Sequence, residues 1–233
     1  MDNNKYKYKN KINKEREKCN KLINKLYGDS FYFMHITRLS NLKTILKEGI
    51  LKISSNVNDI NFGYSLYEND KNPPYLYCQI VFDDMKVLNK DRDYSSTYSL
   101  ILHPKILFDN NVIFNKQWEG YPIKKTEATK HIMESININK NDNYENKIKN
   151  IEKIKHIIKK KLIENKLHEE KHEFIFTKDI KIKEYLIGIL YNKHYKDDIQ
   201  LINNILKKYD YTNIPIYFDI KEIPTLCDIL INN

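Results

Sequence analysis

His168 and His172 sit four apart among Glu169, Glu170 and Glu173, a spacing with which one helical turn would offer two imidazoles to a divalent metal. Phe174–Phe176 reads as a strand directly afterwards and interrupts that helical face, so no resident metal is expected. Glycine is scarce, with five in the chain, and neither G-x-G-x-x-G nor G-K-[ST] occurs. That argues against Rossmann-type dinucleotide binding and against a P-loop. No G-x-S-x-G or H-E-x-x-H is present, which removes the nucleophile elbow and the zincin helix. Cys19, Cys78 and Cys227 are far apart and odd in number, fitting reduced, buried thiols better than a disulfide framework. Trp118 and Gly120, in KQWEGYP, read either as a loop aromatic packed on the core or as a base-stacking platform.

Two segments remain, each ordered as strand, turn and second element. The first, residues 32–51 (YFMHITRLSNLKTILKEGIL), is a buried strand ending in His-Ile-Thr, a helix and the start of another strand. Ser40 is placed to cap that helix over Asn41–Glu48, Leu42, Ile45 and Leu46 face inward, and Gly49 stops it. The second, residues 172–190 (HEFIFTKDIKIKEYLIGIL), is a glutamate opening a strand, a polar turn and a further strand.

This pairing resembles the DarT-type ADP-ribosyltransferases and, more loosely, the wider fold of enzymes that cleave NAD. The resemblance covers about 40 of the 233 residues. It implies an α+β fold with a split mixed β-sheet of ADP-ribosyltransferase type and flanking helices, and NAD as substrate. His35 would hydrogen-bond the nicotinamide ribose, with Thr37 beside it, and Glu173 would be the catalytic carboxylate. Cleavage of the nicotinamide–ribose bond passes through an oxocarbenium-like state, which a nearby carboxylate stabilises while it polarises a hydroxyl or takes a proton from the nucleophile. Tyr64 and Tyr67 would stack on nicotinamide. Two departures bear on the acceptor. Family members carry an arginine soon after the second strand, whereas residues 52–74 contain none, which leaves Arg38 or Arg92 as a substitute. Two positions before Glu173 stands Lys171, where the wider family places the residue that selects protein acceptors. This leans towards a nucleic-acid base as acceptor or towards lost activity, and the toxin-like Ser-Thr-Ser motif has only a loose echo in Ser95-Ser96-Thr97. The resemblance thus implies a toxin or phage-defence effector with an antitoxin or inhibitor protein as partner. The alternatives are an inactive or unrelated nucleic-acid-binding module, a protein ADP-ribosyltransferase, and an interaction factor built on the long helix.

The elements that must position these residues follow from periodicity. An amphipathic helix over residues 10–27 is expected to pack on the body, so that residues 1–28 form a basic helical addition and 29–233 one domain. Further strands are expected at 50–54, 75–82, 98–102, 111–114, 173–177, 185–191 and 214–218. Helices are expected at 125–138, 144–167, 196–208 and 222–231, with a surface loop over 56–74. The lysine-rich face of 147–161 reads as solvated. Irregular alternation of strands and helices fits α+β rather than α/β.

Charge and hydropathy set the outer bounds. The formal charge is +9, from 40 Lys+Arg against 31 Asp+Glu, and three of those cations are arginines, Arg16, Arg38 and Arg92. A lysine field suits phosphate backbones and reads base edges poorly. No apolar run reaches the roughly 18 residues that cross a bilayer, and the charged N-terminus lacks the apolar stretch of an export signal. The expectation is a cytoplasmic protein.

Overall fold

The computed structural model describes residues 31–53, 76–85, 98–115, 136–163, 173–191 and 198–227, together with isolated positions between 11 and 21. The strands are β1 (Phe31–Thr37), β2 (Ile50–Leu51), β3 (Leu76–Phe82), β4 (Tyr98–Leu102), β5 (Val112–Asn115), β6 (Ile136–Ile138), β7 (Glu173–Phe176), β8 (Ile180–Lys181), β9 (Leu186–Leu190) and β10 (Ile216–Tyr217). The helices are α1 (Leu39–Glu48), α2 (Ile106–Asp109), α3 (Tyr144–Ile163) and α4 (Ile199–Lys208). Eight strands join in the order β10-β9-β4-β1-β3-β7-β5-β6, and β2 pairs with β8 apart from them. Only β10–β9 is a parallel pair, so the sheet is mixed and mostly antiparallel, within an α+β fold.

Both faces of the middle of the sheet are buried, which is why β1 is apolar at successive positions rather than alternating. Phe31 and Phe33 point into the larger core with Leu42 and Leu46 of α1, Ile151, Ile154 and Ile158 of α3, and Ile202, Ile205 and Leu206 of α4. Tyr32 and Met34 point the other way, into a smaller core with Val81, Ile101, Ile220 and Ile223. An aromatic relay crosses the larger core. Phe33 meets Phe174 edge-on at 5.0 Å, and Phe174 meets Phe114 at 5.1 Å.

The sheet forks along β1. Backbone pairing between β1 and β3 joins Phe31–Met34 to Gln79–Phe82. Beyond Met34 no β1–β3 pair forms among the described residues. From there β1 pairs with β4 alone, through Thr37↔Tyr98, while Leu76–Cys78 of β3 pair with Phe174–Phe176 of β7. The split β-sheet implied by the resemblance is present in this sense.

Several expectations are corrected. Ser40 does not cap α1: the helix starts at Leu39, the extended Arg38 precedes it, and the Arg38 carbonyl accepts from Leu42 N at 2.8 Å. The stop is as expected, with Gly49 at φ 68° and its N–H on the Ile45 carbonyl, a conformation open to a residue without Cβ. Residues 136–138 are strand, not helix end, because Ile136 and Ile138 straddle Asn137 and extend the edge at β5; residues 125–135 lie outside the described residues. The strand expected over 50–54 shortens to Ile50–Leu51, and that over 214–218 to Ile216–Tyr217. Lys147 is not on a solvated face. It is 3% exposed and donates from Nζ to the carbonyls of Lys140 (2.6 Å) and Phe108 (3.3 Å), so that burial drives its pKa down. Of the N-terminal helix, the described positions Lys11, Asn13, Lys14, Glu17, Lys18 and Lys21 are helical and exposed. Ile12, Cys19, Leu22, Ile23 and Leu26, the expected packing face, lie outside the described residues.

Candidate functional site

His35 occupies the crotch of the fork. Where a β1–β3 backbone bond would otherwise form, the imidazole reaches across and its Nδ1 lies 2.9 Å from the Tyr77 carbonyl. A carbonyl can only accept, so Nδ1 carries the proton and donates. Burial pushes the imidazole below its ordinary pKa, opposed in part by that same bond. The ring is therefore neutral near pH 7, with its Nε2 lone pair available as an acceptor. This suits a group that receives a hydrogen bond from a sugar hydroxyl, and it is unsuited to acting as a cation.

Thr37, two residues on along the same side of β1, is 6% exposed at the last position of the strand. Arg38 follows in extended conformation on the surface. Tyr64, Tyr67 and Arg92 lie outside the described residues, as do His168, His172, Lys171 and Trp118. Glu173 opens β7, its backbone opposite Asn115 of β5; at this position the backbone alone is described.

The two motif segments, more than a hundred residues apart, are packed together. Phe33 and Phe174 are in ring contact, β2 pairs with β8 through Ile50↔Lys181 and Leu51↔Ile180, and the Gly49 carbonyl accepts from Ile182 N at 2.9 Å. Ile53 N also donates to Asp179 Oδ1 at 2.8 Å. Continuing the register one step past Cys78↔Phe174 sets Glu173 level with Gln79, which pairs with Met34, the neighbour of His35. Positions 35 and 173 are thus on strands separated by β3 alone, about 10 Å across the sheet at the usual strand spacing. Their alternation differs: position 35 goes with Phe33 and position 173 with Ile175. In a continuous flat sheet they would belong to opposite faces. The sheet stops being continuous at this level, where β1 and β3 part.

Cys78, level with His35 on β3, is buried and its thiol is pushed up by burial, the environment of an inert packing group. Among the described residues no cluster of metal-ligating side chains forms and no helix is long and apolar enough to cross a membrane. Sequence reading missed the Tyr77 carbonyl as the partner of His35. YLYCQIVF signals a strand, and nothing local in it says that half of that strand turns to β7.

The profile of a family of unknown function, DUF5846, matches residues 29–161, from the start of the first motif segment through most of α3. The chain belongs to the DUF5846 family. The matched region holds His35, Thr37 and Arg38, while Glu173 lies beyond it. This DUF5846 chain is also similar to the uncharacterized protein R11 of Acanthamoeba polyphaga mimivirus, at 28% identity over 249 residues covering 96% of the chain and 84% of that protein. Among solved structures it is similar to Thermosipho africanus DarTG in complex with ADP-ribose, at 16% identity and a TM-score of 0.40. That match covers 83% of the chain and 51% of the other, so the chain spans about half the length of that structure. A likeness of this degree decides neither fold nor activity.

Proposed function

We propose that this DUF5846 chain is an NAD-dependent ADP-ribosyltransferase whose acceptor is a nucleic-acid base. The observation that carries the reading is the His35 latch: a neutral imidazole, its tautomer set by the Tyr77 carbonyl, at the point where the sheet opens. The contact between the two motif segments supports it, because Glu173 comes within one intervening strand of His35.

In the reaction, His35 Nε2 accepts from a ribose hydroxyl of NAD and holds the sugar against the end of β1. Glu173 stabilises positive charge on the ribose as its bond to nicotinamide breaks and nicotinamide departs with the bonding pair. A nitrogen of the acceptor base then forms the new bond to the anomeric carbon and gives up its proton, for which Glu173 is the nearby base. Thr37 and Arg38 bound the entrance at the end of β1. A base acceptor must be single-stranded or flipped out of the duplex to reach them. An antitoxin or inhibitor protein is the corresponding regulatory partner.

The opposite alternation of positions 35 and 173 favours one second reading, a nucleic-acid-binding module without turnover. Nicotinamide release separates the two. Purified protein with NAD is expected to release nicotinamide, and Glu173→Gln is expected to lower that release by at least about 100-fold, the scale on which a single transition-state contact is lost. Absence of release from the wild-type protein, with and without single-stranded DNA or RNA, would leave the binding module.

A further inference from the structure

At the end of β7 a cleft of about 220 Å³ opens between the start of β5, the turn before α3 and the β7–β8 turn. Phe176, Thr177 and Lys178 form one wall, Asp109 and Asn111 a second, and Lys140 a third. Phe176 lies in register with Leu76, at the same end of the sheet as the free end of the β1–β3 fork.

The charges around the cleft are not balanced within it. Asp109 supplies its carboxylate, but that group already accepts from Lys105 Nζ and from the Tyr185 hydroxyl at 2.9 Å. Although burial works the other way, these bonds hold Asp109 below the usual carboxylate range. Neither Lys140 nor Lys178 forms an ion pair within 4.0 Å among the described residues. The backbone beneath each is pinned. Lys140 N donates to Asn111 Oδ1 at 2.8 Å, the Lys140 carbonyl takes Lys147 Nζ, and Asn139 N donates to Asp142 Oδ2 at 2.8 Å. Lys178 precedes Asp179, which is tied to Ile53 N. Two exposed ammonium groups therefore project from fixed turns on opposite sides of a polar opening, with the Thr177 hydroxyl between them.

We infer that this cleft is a subsite for the phosphate backbone of a single-stranded nucleic acid, an inference that rests on the transferase reading with a nucleic-acid acceptor. Lysine at fixed positions holds phosphate without reading bases. Phe176 is three residues from Glu173, about 10 Å along an extended strand. A backbone seated in the cleft can therefore present a neighbouring base at the fork. The same phosphate chemistry is offered by the pyrophosphate of NAD, so the test must separate the two sources.

The test measures binding of a fluorescent 12-nucleotide single-stranded DNA, its RNA counterpart and NAD to the full chain, each alone, as a function of salt. Lys140→Ala/Lys178→Ala is compared with Lys140→Arg/Lys178→Arg and with Lys207→Ala/Lys208→Ala, a lysine pair on exposed α4 positions. The alanine pair is expected to weaken oligonucleotide binding roughly tenfold at low salt and to reduce the salt slope by about 1.4, the release expected from two single-strand phosphate contacts. The arginine pair and the α4 pair should bind like wild type, and unchanged thermal melting establishes that the variants are folded. Oligonucleotide affinity that is unmoved in the alanine pair, or NAD affinity that falls in its place, overturns the inference. Loss of the transferase reading would show separately, as no nicotinamide release from the wild-type chain, while oligonucleotide binding without NAD still reports on the cleft.

Discussion

The two ends of β1 are built on opposite terms. From Phe31 to Met34 the strand has neighbours on both sides and apolar cores on both faces, and all four side chains are fully buried. From His35 to Thr37 it keeps β4 and loses β3, Ile36 is 37% exposed, and the side chains are mostly polar. A strand closed on every side leaves no uncompensated donor or acceptor, so it contributes stability and can contact no ligand. The open end leaves the Tyr77 carbonyl without a ladder partner from β1, and the chain supplies a histidine side chain in its place. Satisfying that carbonyl and fixing the His35 tautomer are one interaction, so structure and proposed chemistry share a single hydrogen bond.

If the contrast is real, substitutions at the closed end should cost stability and those at the open end should cost turnover. The largest effect is expected at Phe33, whose ring joins the relay to Phe174 and Phe176. Phe33→Ala should lower unfolding free energy by about 3–5 kcal/mol in urea titration. A loss below about 1 kcal/mol would mean that the fork is not anchored there. His35 comes next, and two substitutions separate its duties. His35→Asn keeps a donor near the Nδ1 position and removes the Nε2 acceptor, so stability should stay within about 1 kcal/mol of wild type while kcat/KM for nicotinamide release falls by about 10- to 100-fold. His35→Ala should lose both, adding about 1–3 kcal/mol for the stranded carbonyl. Equal turnover in the two variants, both near wild type, would remove His35 from the site. Gly49→Ala, at the αL stop of α1, should cost about 1 kcal/mol, read as a lowered melting temperature with little change in activity.

The smallest effect is a difference in pH dependence between two histidines. His35 Nδ1 donates to a carbonyl, a bond that survives protonation of the ring. His103 Nδ1 accepts from Lys105 N at 2.9 Å, a bond that protonation abolishes. Burial, with Lys105 nearby, lowers the His103 pKa from 6.5 to about 4. Between those values the unfolded chain binds a proton that the folded chain does not. The contribution of His103 is therefore fully present above pH 6.5 and is lost as pH falls towards 4. Chemical denaturation at pH 7.5 and pH 4.5 should show a smaller acid loss in His103→Gln than in wild type. An equal loss would place the acid sensitivity elsewhere.

Local pattern carried most of the secondary structure. The apolar runs of FYFMHIT and YLYCQIVF, the three- and four-residue spacing of isoleucines in residues 144–163, and the Gly49 stop are short-range signals, and each appears where expected. Short edge elements were harder to read. Ile136–Ile138 is strand because β5 offers it an open edge, and no propensity summed over three residues can report a partner. Lys147 reads as solvated in any helical projection, yet it is buried because α2 and the turn before α3 leave carbonyls that need a donor.

The sequence by itself determined the residue types available for chemistry: one histidine at a strand end, one glutamate opening a later strand, few glycines, and a lysine-dominated positive charge. Tertiary structure alone decided that β3 divides its pairing between β1 and β7, that His35 fills the resulting gap, and that Glu173 stands one strand beyond it with the opposite alternation. The reason is the range of the forces involved. Side-chain periodicity is set by neighbours three or four residues away, whereas strand partnership is set by whichever buried edge still has unpaired backbone groups, and those lie anywhere along the chain.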